Sequence, residues 1–253
     1  MPKEKVSVSI DQELLKKLQR QIKNERFRSL SEAFETYLQL GLLKSGIRTA
    51  VMLIRKRDFP VLFTHIAGKP LIEQHMEFLR KNRIDMLYFI TGFSDQVAKL
   101  SQYADSAGIK ISFLYEEGEE GNVQALKKVE KKIDEPFLLI YGDTYFSFDI
   151  SKMVERHLSS DALVTVGLYG DQPQKTASVI ILDGDDIKSY KKEEKKDSLI
   201  IDVGLYLIRH DIFALIESND RMLERDVFPK ICSQGRMKGY FIYGEHTHLG
   251  PEE

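Results

Sequence analysis

Hydrophobic positions change their spacing along this chain, and each change predicts a different kind of element. Val6, Val8 and Ile10 alternate with Lys5, Ser7 and Ser9, the period of two expected of a short strand with one apolar face. Asp11 then stands as an N-cap ahead of Leu14, Leu15, Leu18 and Ile22 at helical spacing. After a polar break over residues 24–28, Ser29 and Glu32 form a capping box. The helix it opens carries Leu30, Ala33, Phe34, Tyr37, Leu38 and Leu42 on its apolar stripe. Lys44-Ser45-Gly46 ends that helix as a short linker.

From Thr49 onward, short apolar runs alternate with amphipathic stretches. Strands are predicted over 50–54, 86–91, 110–115 and 136–141. The helix after Lys69-Pro70 places Leu71, Ile72, His75, Phe78 and Leu79 on one face, and further helices are predicted over 95–106 and 123–132. This rhythm predicts an α/β fold with a mainly parallel sheet covered by helices. Ligands in such sheets sit beyond the carboxyl ends of the strands, where Asp143 falls. A helix over 150–159 and a strand over 162–168 follow. Next come a hairpin of 177–182 with 187–190, a strand over 199–208, helical stretches at 211–217 and 224–229, and a strand at 239–243. The expected domains are 1–46 and 47–253.

Composition narrows the setting. The chain is 42% apolar and 30% charged, as in soluble globular proteins. No apolar run approaches the roughly 20 residues that cross a bilayer, so no membrane partner is expected. The first residues show no signal-peptide core, and the single cysteine, Cys232, excludes an internal disulfide. Both point to a cytoplasmic location. The net charge of −2 is unevenly spread: residues 1–50 hold ten Lys/Arg against six Asp/Glu, the remainder 27 against 33. A basic head on an acidic body directs a polyanion-binding surface to the N-terminus.

One strand and two helices in about 40 residues bury no adequate core alone. The difficulty vanishes if two chains pair their strands and interleave their helices. In spacing, caps and apolar pattern, residues 5–43 resemble the ribbon-helix-helix family of the MetJ and Arc type. That resemblance implies a homodimer whose paired ribbon enters the major groove of double-stranded DNA. Lys5, Ser7 and Ser9 would face base edges. The start of the second helix, at Ser29 and Ser31, would hold a backbone phosphate, with Arg26 and Arg28 adding charge. A clasp that dimerises without touching DNA is the alternative.

The body carries a second resemblance. Ala67-Gly68-Lys69-Pro70-Leu71-Ile72-Glu73, Tyr141-Gly142-Asp143, Asp202-Val203-Gly204-Leu205-Tyr206 and Glu224-Arg225-Asp226-Val227-Phe228-Pro229 occur in the order found in sugar-1-phosphate nucleotidyltransferases. Over residues 49–253 the chain is similar to that family. The implied reaction is attack of a sugar phosphate on the α-phosphate of a nucleoside triphosphate, which needs donors, fixed cations and a divalent metal. Here the family's glycine-rich phosphate loop is replaced by Ile54-Arg55-Lys56-Arg57-Asp58-Phe59-Pro60, which contains no glycine. The lysine expected ahead of the second Lys-Pro falls on Val61. Asp143 matches the first metal aspartate, whereas His248 stands where the second belongs, and histidine is a poor magnesium ligand. Gln124, in Gly121-Asn122-Val123-Gln124, adds bulk where the family admits the base with a glycine, and its amide offers to read a ligand edge. Asp202-Val203-Gly204 occupies the position that approaches the sugar. Glu116, Glu117, Glu119 and Glu120 add negative charge before that loop, and Lys191, Lys192, Lys195 and Lys196 read as a surface charge run.

The two resemblances together imply a small ribbon-helix-helix domain followed by a Rossmann-like nucleotidyltransferase fold with a mainly parallel mixed sheet. The expected role is a DNA-binding transcription regulator, dimeric or tetrameric, whose body is a pseudoenzyme. That body would bind a sugar phosphate, nucleotide or sugar nucleotide through Gly121, Asn122, Gln124, Asp143, Asp202 and Gly204, or serve oligomerisation alone. No catalytic residue is assigned and no cofactor is required; Asp143 is kept as the position for a divalent metal. Two alternatives stand beside it: an active sugar-phosphate nucleotidyltransferase with an atypical phosphate loop, and an oligomeric scaffold that binds no DNA.

Overall fold

Capping side chains set both N-terminal helices. In α1 (Gln12–Lys23) the Asp11 carboxylate accepts from Glu13 N at 2.8 Å and Leu14 N at 3.2 Å. In α2 (Leu30–Ser45), Ser29 Oγ accepts from Glu32 N at 3.1 Å, and the Glu32 carboxylate accepts from Arg28 N at 2.7 Å. This computed structural model describes residues 7–24, 27–93, 97–118, 121–174, 178–192 and 198–250. It divides into two units, Met1–Gly46 and Ile47–Glu253. In the first unit Leu18 and Ala33 are buried, while Val8, Leu14, Leu30, Tyr37 and Leu38 are exposed. Of the predicted strand, residues 7–10 belong to no helix or strand, and Lys5 and Val6 lie outside the described residues. A β-ladder needs a second strand, and none is paired with residues 7–10 among the described residues of this single chain.

In the second unit, β1 (Thr49–Leu53) leads through a 3₁₀ turn (Lys56–Phe63) to the small hairpin β2 (His65–Ile66) and β3 (Lys69–Pro70). Helix α3 (Leu71–Lys81), β4 (Met86–Gly92), α4 (Val97–Ala107), β5 (Lys110–Glu116), α5 (Asn122–Lys127) and β6 (Phe137–Tyr141) follow. Then come β7 (Thr144–Ser147), α6 (Ser151–Ser159), β8 (Val164–Gln174), β9 (Ser178–Asp183), β10 (Asp186–Lys192) and β11 (Ser198–Ile208). After a 3₁₀ turn (His210–Leu215) and a π-helical turn (Leu223–Val227), α7 (Phe228–Ser233), β12 (Met237–Phe241) and β13 (Glu245–His248) complete the order. The predicted helix at 211–217 is thus a 3₁₀ turn, and β7 and β13 went unpredicted because each is four residues long without a clear apolar alternation.

The main sheet has the order β5-β4-β1-β6-β11-β8-β12-β10-β9. β4, β1, β5 and β6 run parallel, β11 and β10 run against the rest, and the sheet is mixed with a parallel heart. Its strands read as continuous apolar runs because both faces are covered. Ala50, Met52, Leu138 and Ile140 pack on one face with Ile72, Met76, Leu79, Leu100 and Met153 of α3, α4 and α6. Val51, Leu53, Phe137 and Leu139 pack on the other with Val123, Leu126, Phe228 and Ile231 of α5 and α7. Among the described residues no helix is long and apolar enough to cross a membrane.

Two buried histidines brace this body. His75 Nε2 donates to the Gly142 carbonyl at 3.2 Å, and His157 Nδ1 shares a hydrogen bond with Thr165 Oγ1 at 2.8 Å. Burial lowers the His75 imidazole to about 4, against the pull of Gly142. Burial and the Arg209 charge lower His157 to about 3. Asp202 moves the other way, raised to about 6 by burial. The unfolded chain protonates its histidines near 6.5, so their contribution is complete above that pH and falls as acid is added. Each histidine loses roughly 1.4 kcal/mol per pH unit on the way down to its folded value. Asp202 takes up its proton earlier in the folded than in the unfolded state and offsets one of the two. We therefore expect urea unfolding to show a net loss of roughly 1.4 kcal/mol per unit from these groups between pH 6 and 4. His157→Gln, which keeps a partner for Thr165, is expected to flatten that slope.

Candidate active site

The carboxyl ends of β1, β4 and β6 are drawn together by backbone bonds beyond the strands. Ile54 N donates to Ile90 O at 3.1 Å and Gly142 N to Leu53 O at 2.8 Å. Gly142 allows this closeness, since an added Cβ would lie 3.1 Å from Ile54 Cβ. The chain then enters the 3₁₀ turn directly, with Phe59 and Leu62 buried as its anchors. Arg55 Nε lies 2.5 Å from Oδ2 of the buried Asp58, and Arg57 Nε lies 3.9 Å from its Oδ1. Lys56 is exposed, and its stem lies over Gly92 at the end of β4. Val61 is half-buried in this turn and supplies no charge.

Across from that turn, Asp143 is fixed by a second sheet. β13 pairs antiparallel with β7, placing His248 opposite Thr144, and Leu249 N donates to Asp143 O at 2.8 Å. Gly250 follows, lying against both Asp143 Oδ2 and the His248 ring. Burial raises the Asp143 carboxyl above the usual range; the His248 and Arg55 charges oppose this and the Asp58 charge adds to it. Arg55, Asp58, Asp143 and His248 thus form one electrostatic group at the strand ends.

A polar cluster adjoins it through Tyr141, which directly precedes Gly142. The buried Glu224 carboxylate accepts from the Tyr141 hydroxyl and from Asn122 Nδ2 at 2.9 Å, while Asn122 Oδ1 accepts from Leu223 N at 2.7 Å. Glu224 sits in the π-helical turn, a rare geometry that recurs at functional sites. Asp202 accepts from the Tyr190 hydroxyl at 2.5 Å, the Tyr206 hydroxyl at 2.7 Å and Gly204 N at 2.8 Å. Gly204 (φ 69°) lies within the shift of register between β11 and β8, where a Cβ would come within 2.9 Å of the Tyr141 ring. Burial, then the charges of Glu224 and Asp202, push the Tyr141 hydroxyl well above its ordinary value, so it stays a donor.

The predicted positions divide. Asp143 lies at the strand ends, and Asp202, Gly204 and Asn122 fall in the adjoining cluster. Gly121 (φ 89°) is required by the Arg221 carbonyl, which occupies the space of any Cβ. The amide of Gln124 donates to the Asp220 carbonyl at 3.2 Å. Sequence reasoning missed Asp58, Tyr141, Tyr190, Tyr206 and Glu224 as partners, because polar atoms inside apolar strands and turns carry no spacing signal. At the N-terminus, Ser7 and Ser9 lie on no ribbon, and Ser29 is spent as a cap. The Glu32 carboxylate already occupies Arg28 N at the helix start, where a phosphate was expected, and Ser31 is exposed. Lys5 and Arg26 lie outside the described residues, as do Glu119, Glu120, Lys195 and Lys196.

A doubly covered mixed sheet with polar residues gathered at its strand ends places a ligand crevice there, as in α/β enzymes. The family model for nucleotidyl transferase matches residues 49–246, and the chain belongs to that family. It is 26% identical over 218 residues to a D-glycero-alpha-D-manno-heptose 1-phosphate guanylyltransferase of Aneurinibacillus thermoaerophilus, covering 85% of this chain and 93% of that protein. It is 24% identical over 201 residues to a mannose-1-phosphate guanyltransferase of Candida albicans, covering 76% of this chain and 55% of that protein, so the chain spans about half of that longer relative. Among solved structures, HddC of Yersinia pseudotuberculosis superimposes with a TM-score of 0.67 at 21% identity, covering 80% of this chain and 94% of that one. HddC has also been solved with GMP-PN. These relatives overturn the expectation of a DNA-binding transcription regulator with a pseudoenzyme body: they are named as transferases, and the family match begins only at residue 49.

The Glu224 cluster can be checked by stability alone. Glu224→Ala leaves the Tyr141 hydroxyl and the Asn122 amide without their common acceptor. We expect a loss of about 3 kcal/mol in urea unfolding, and about 2 kcal/mol for Tyr141→Phe, which removes the donor to Glu224 and the hydroxyl that accepts from Asn122 Nδ2 at 2.8 Å.

Proposed function

We propose that this chain is a sugar-1-phosphate nucleotidyltransferase working in the crevice beyond β1, β4 and β6. The observation that carries the reading is the joining of the basic turn Arg55-Lys56-Arg57 to Asp143 at those strand ends, by the backbone bonds of Ile54 and Gly142. The family match and the transferase names of the relatives support it. The guanylyl chemistry in those names makes GTP the first donor to test, with a hexose or heptose 1-phosphate as acceptor.

In this reaction a phosphate oxygen of the sugar phosphate attacks the α-phosphorus and forms a new P–O bond. The bond from that phosphorus to the bridging oxygen breaks, and its electron pair leaves on pyrophosphate. Charge accumulates on the phosphates, and fixed cations stabilise it without reorganisation. Arg55 is held in place by Asp58, while Lys56 and Arg57 extend the cationic turn toward solvent. The Tyr141, Asn122, Glu224 and Asp202 cluster is the proposed sugar side, braced so that its hydroxyls and amides hold fixed directions.

The family resemblance also implies a divalent cation at Asp143, and the residues present do not fit one. Among the described residues no three His, Cys, Asp or Glu side chains are gathered to hold a metal ion. The available neighbours of Asp143 are a histidine and an arginine-bound carboxylate, not the oxygen-rich set that magnesium requires. No step is routed through a metal.

The test is pyrophosphate release with GTP and the other nucleoside triphosphates against a set of sugar 1-phosphates. Lys56→Ala is expected to lower kcat/KM about tenfold with unchanged Tm, the loss of one charge-assisted phosphate contact. Folded protein that releases no pyrophosphate with any donor would sink the reading.

For residues 1–46 we propose a ribbon-helix-helix-like clasp between two copies of the chain. Its support is the exposure of Leu14, Leu30, Tyr37 and Leu38 beside only Leu18 and Ala33 buried among the described residues. Sedimentation of the full chain is expected to give a dimer that Leu14→Asp with Leu38→Asp converts to monomer. A monomeric parent chain at micromolar concentration would refute the clasp.

A further inference from the structure

The half-buried Asp143 and the exposed His248 beside it offer a cation few oxygen ligands. The strap 245–250 is tied down by the β13–β7 pairing and by the bond from Leu249 N to Asp143 O at 2.8 Å. At Gly250 a single added carbon would meet Asp143 Oδ2 at 2.8 Å and the His248 ring at 2.9 Å. Only a residue without a side chain fits beside this carboxylate, and the side chain next to it is an imidazole rather than a second carboxylate. The neighbouring carboxylate, Asp58, is already bonded to Arg55 at 2.5 Å. That carboxylate is thus already committed to an arginine, and among the described residues no three metal-ligating side chains are gathered to hold an ion. A dication here would have to break the Arg55–Asp58 pair to gain a second carboxylate, and magnesium demands hard oxygen ligands.

We infer that Asp143 holds the strap through its main-chain carbonyl, that its carboxylate is not a metal ligand, and that this chain holds nucleotide phosphates on Arg55, Lys56 and Arg57 without a divalent cation. The nucleotide half rests on the function proposed above; the metal half stands on the donor set around Asp143 alone. Arginine suits the task because its planar fork binds phosphate oxygens in pairs and never loses its charge.

The deciding experiment titrates chelator-treated full-length protein with Mn²⁺ and follows free Mn²⁺ by electron paramagnetic resonance. The wild type and Asp143→Asn are expected to leave the same free signal. His248→Asp, which supplies a second carboxylate, is expected to take up about one equivalent at millimolar metal. An equivalent bound by the wild type and lost in Asp143→Asn overturns the inference. If His248→Asp does not fold, the first comparison still decides. Calorimetry with GTP supplies the second arm: affinities within about twofold in EDTA and in Mg²⁺ support metal-free binding, and a gain of more than about tenfold with Mg²⁺ overturns it. Absence of GTP binding in both buffers overturns the nucleotide half together with the proposed function, and the Mn²⁺ comparison still decides the role of Asp143.

Discussion

The structure depends on the alignment of β1 with β4 and β6. Because β1 is buried on both faces, its register is fixed by two cores at once, and a slip by one residue would exchange their members. That register delivers Ile54 against Gly142 and so brings Arg55 and Asp143, 88 positions apart in number, to the same edge. Every property assigned to the crevice follows from this one alignment. The helices matter to it chiefly as covers that keep water off the two apolar faces.

Two different economies of charge operate side by side. At the strand ends, opposite charges are paired locally, Arg55 with Asp58. In the adjoining cluster, carboxylates are satisfied by neutral hydroxyls, amides and backbone, as Glu224 is by Tyr141 and Asn122 and Asp202 by Tyr190 and Tyr206. Neutral donors fix geometry without adding positive potential. The first region thus carries fixed charge and the second fixed neutral direction.

Much of the body was legible in the sequence because strand and helix periods are written in apolar residues. The runs at 50–54, 86–91, 110–115 and 136–141 match β1, β4, β5 and β6 to within a residue or two, and Asp143 lies at the strand ends as their order requires. The π-helical turn was not legible, since one extra residue per turn changes no composition. Nor was the fate of Gln124 or Glu224, whose partners lie about a hundred positions away. The N-terminal pattern was read correctly for both helices and their caps. The ribbon reading went beyond the single chain, since strand formation depends on a partner that local spacing cannot supply.

The strap that completes the crevice has a dynamic consequence. β7 and β13 form a sheet of two four-residue strands outside the main one, and Glu245, Thr247 and His248 are exposed. A ladder this short opens by local fluctuation, whereas β1 and β6 open only when the whole body unfolds. The crevice can accordingly be dismantled and rebuilt many times within the lifetime of the folded sheet. Its amide protons will report a free energy of their own, smaller than that of the protein that carries it.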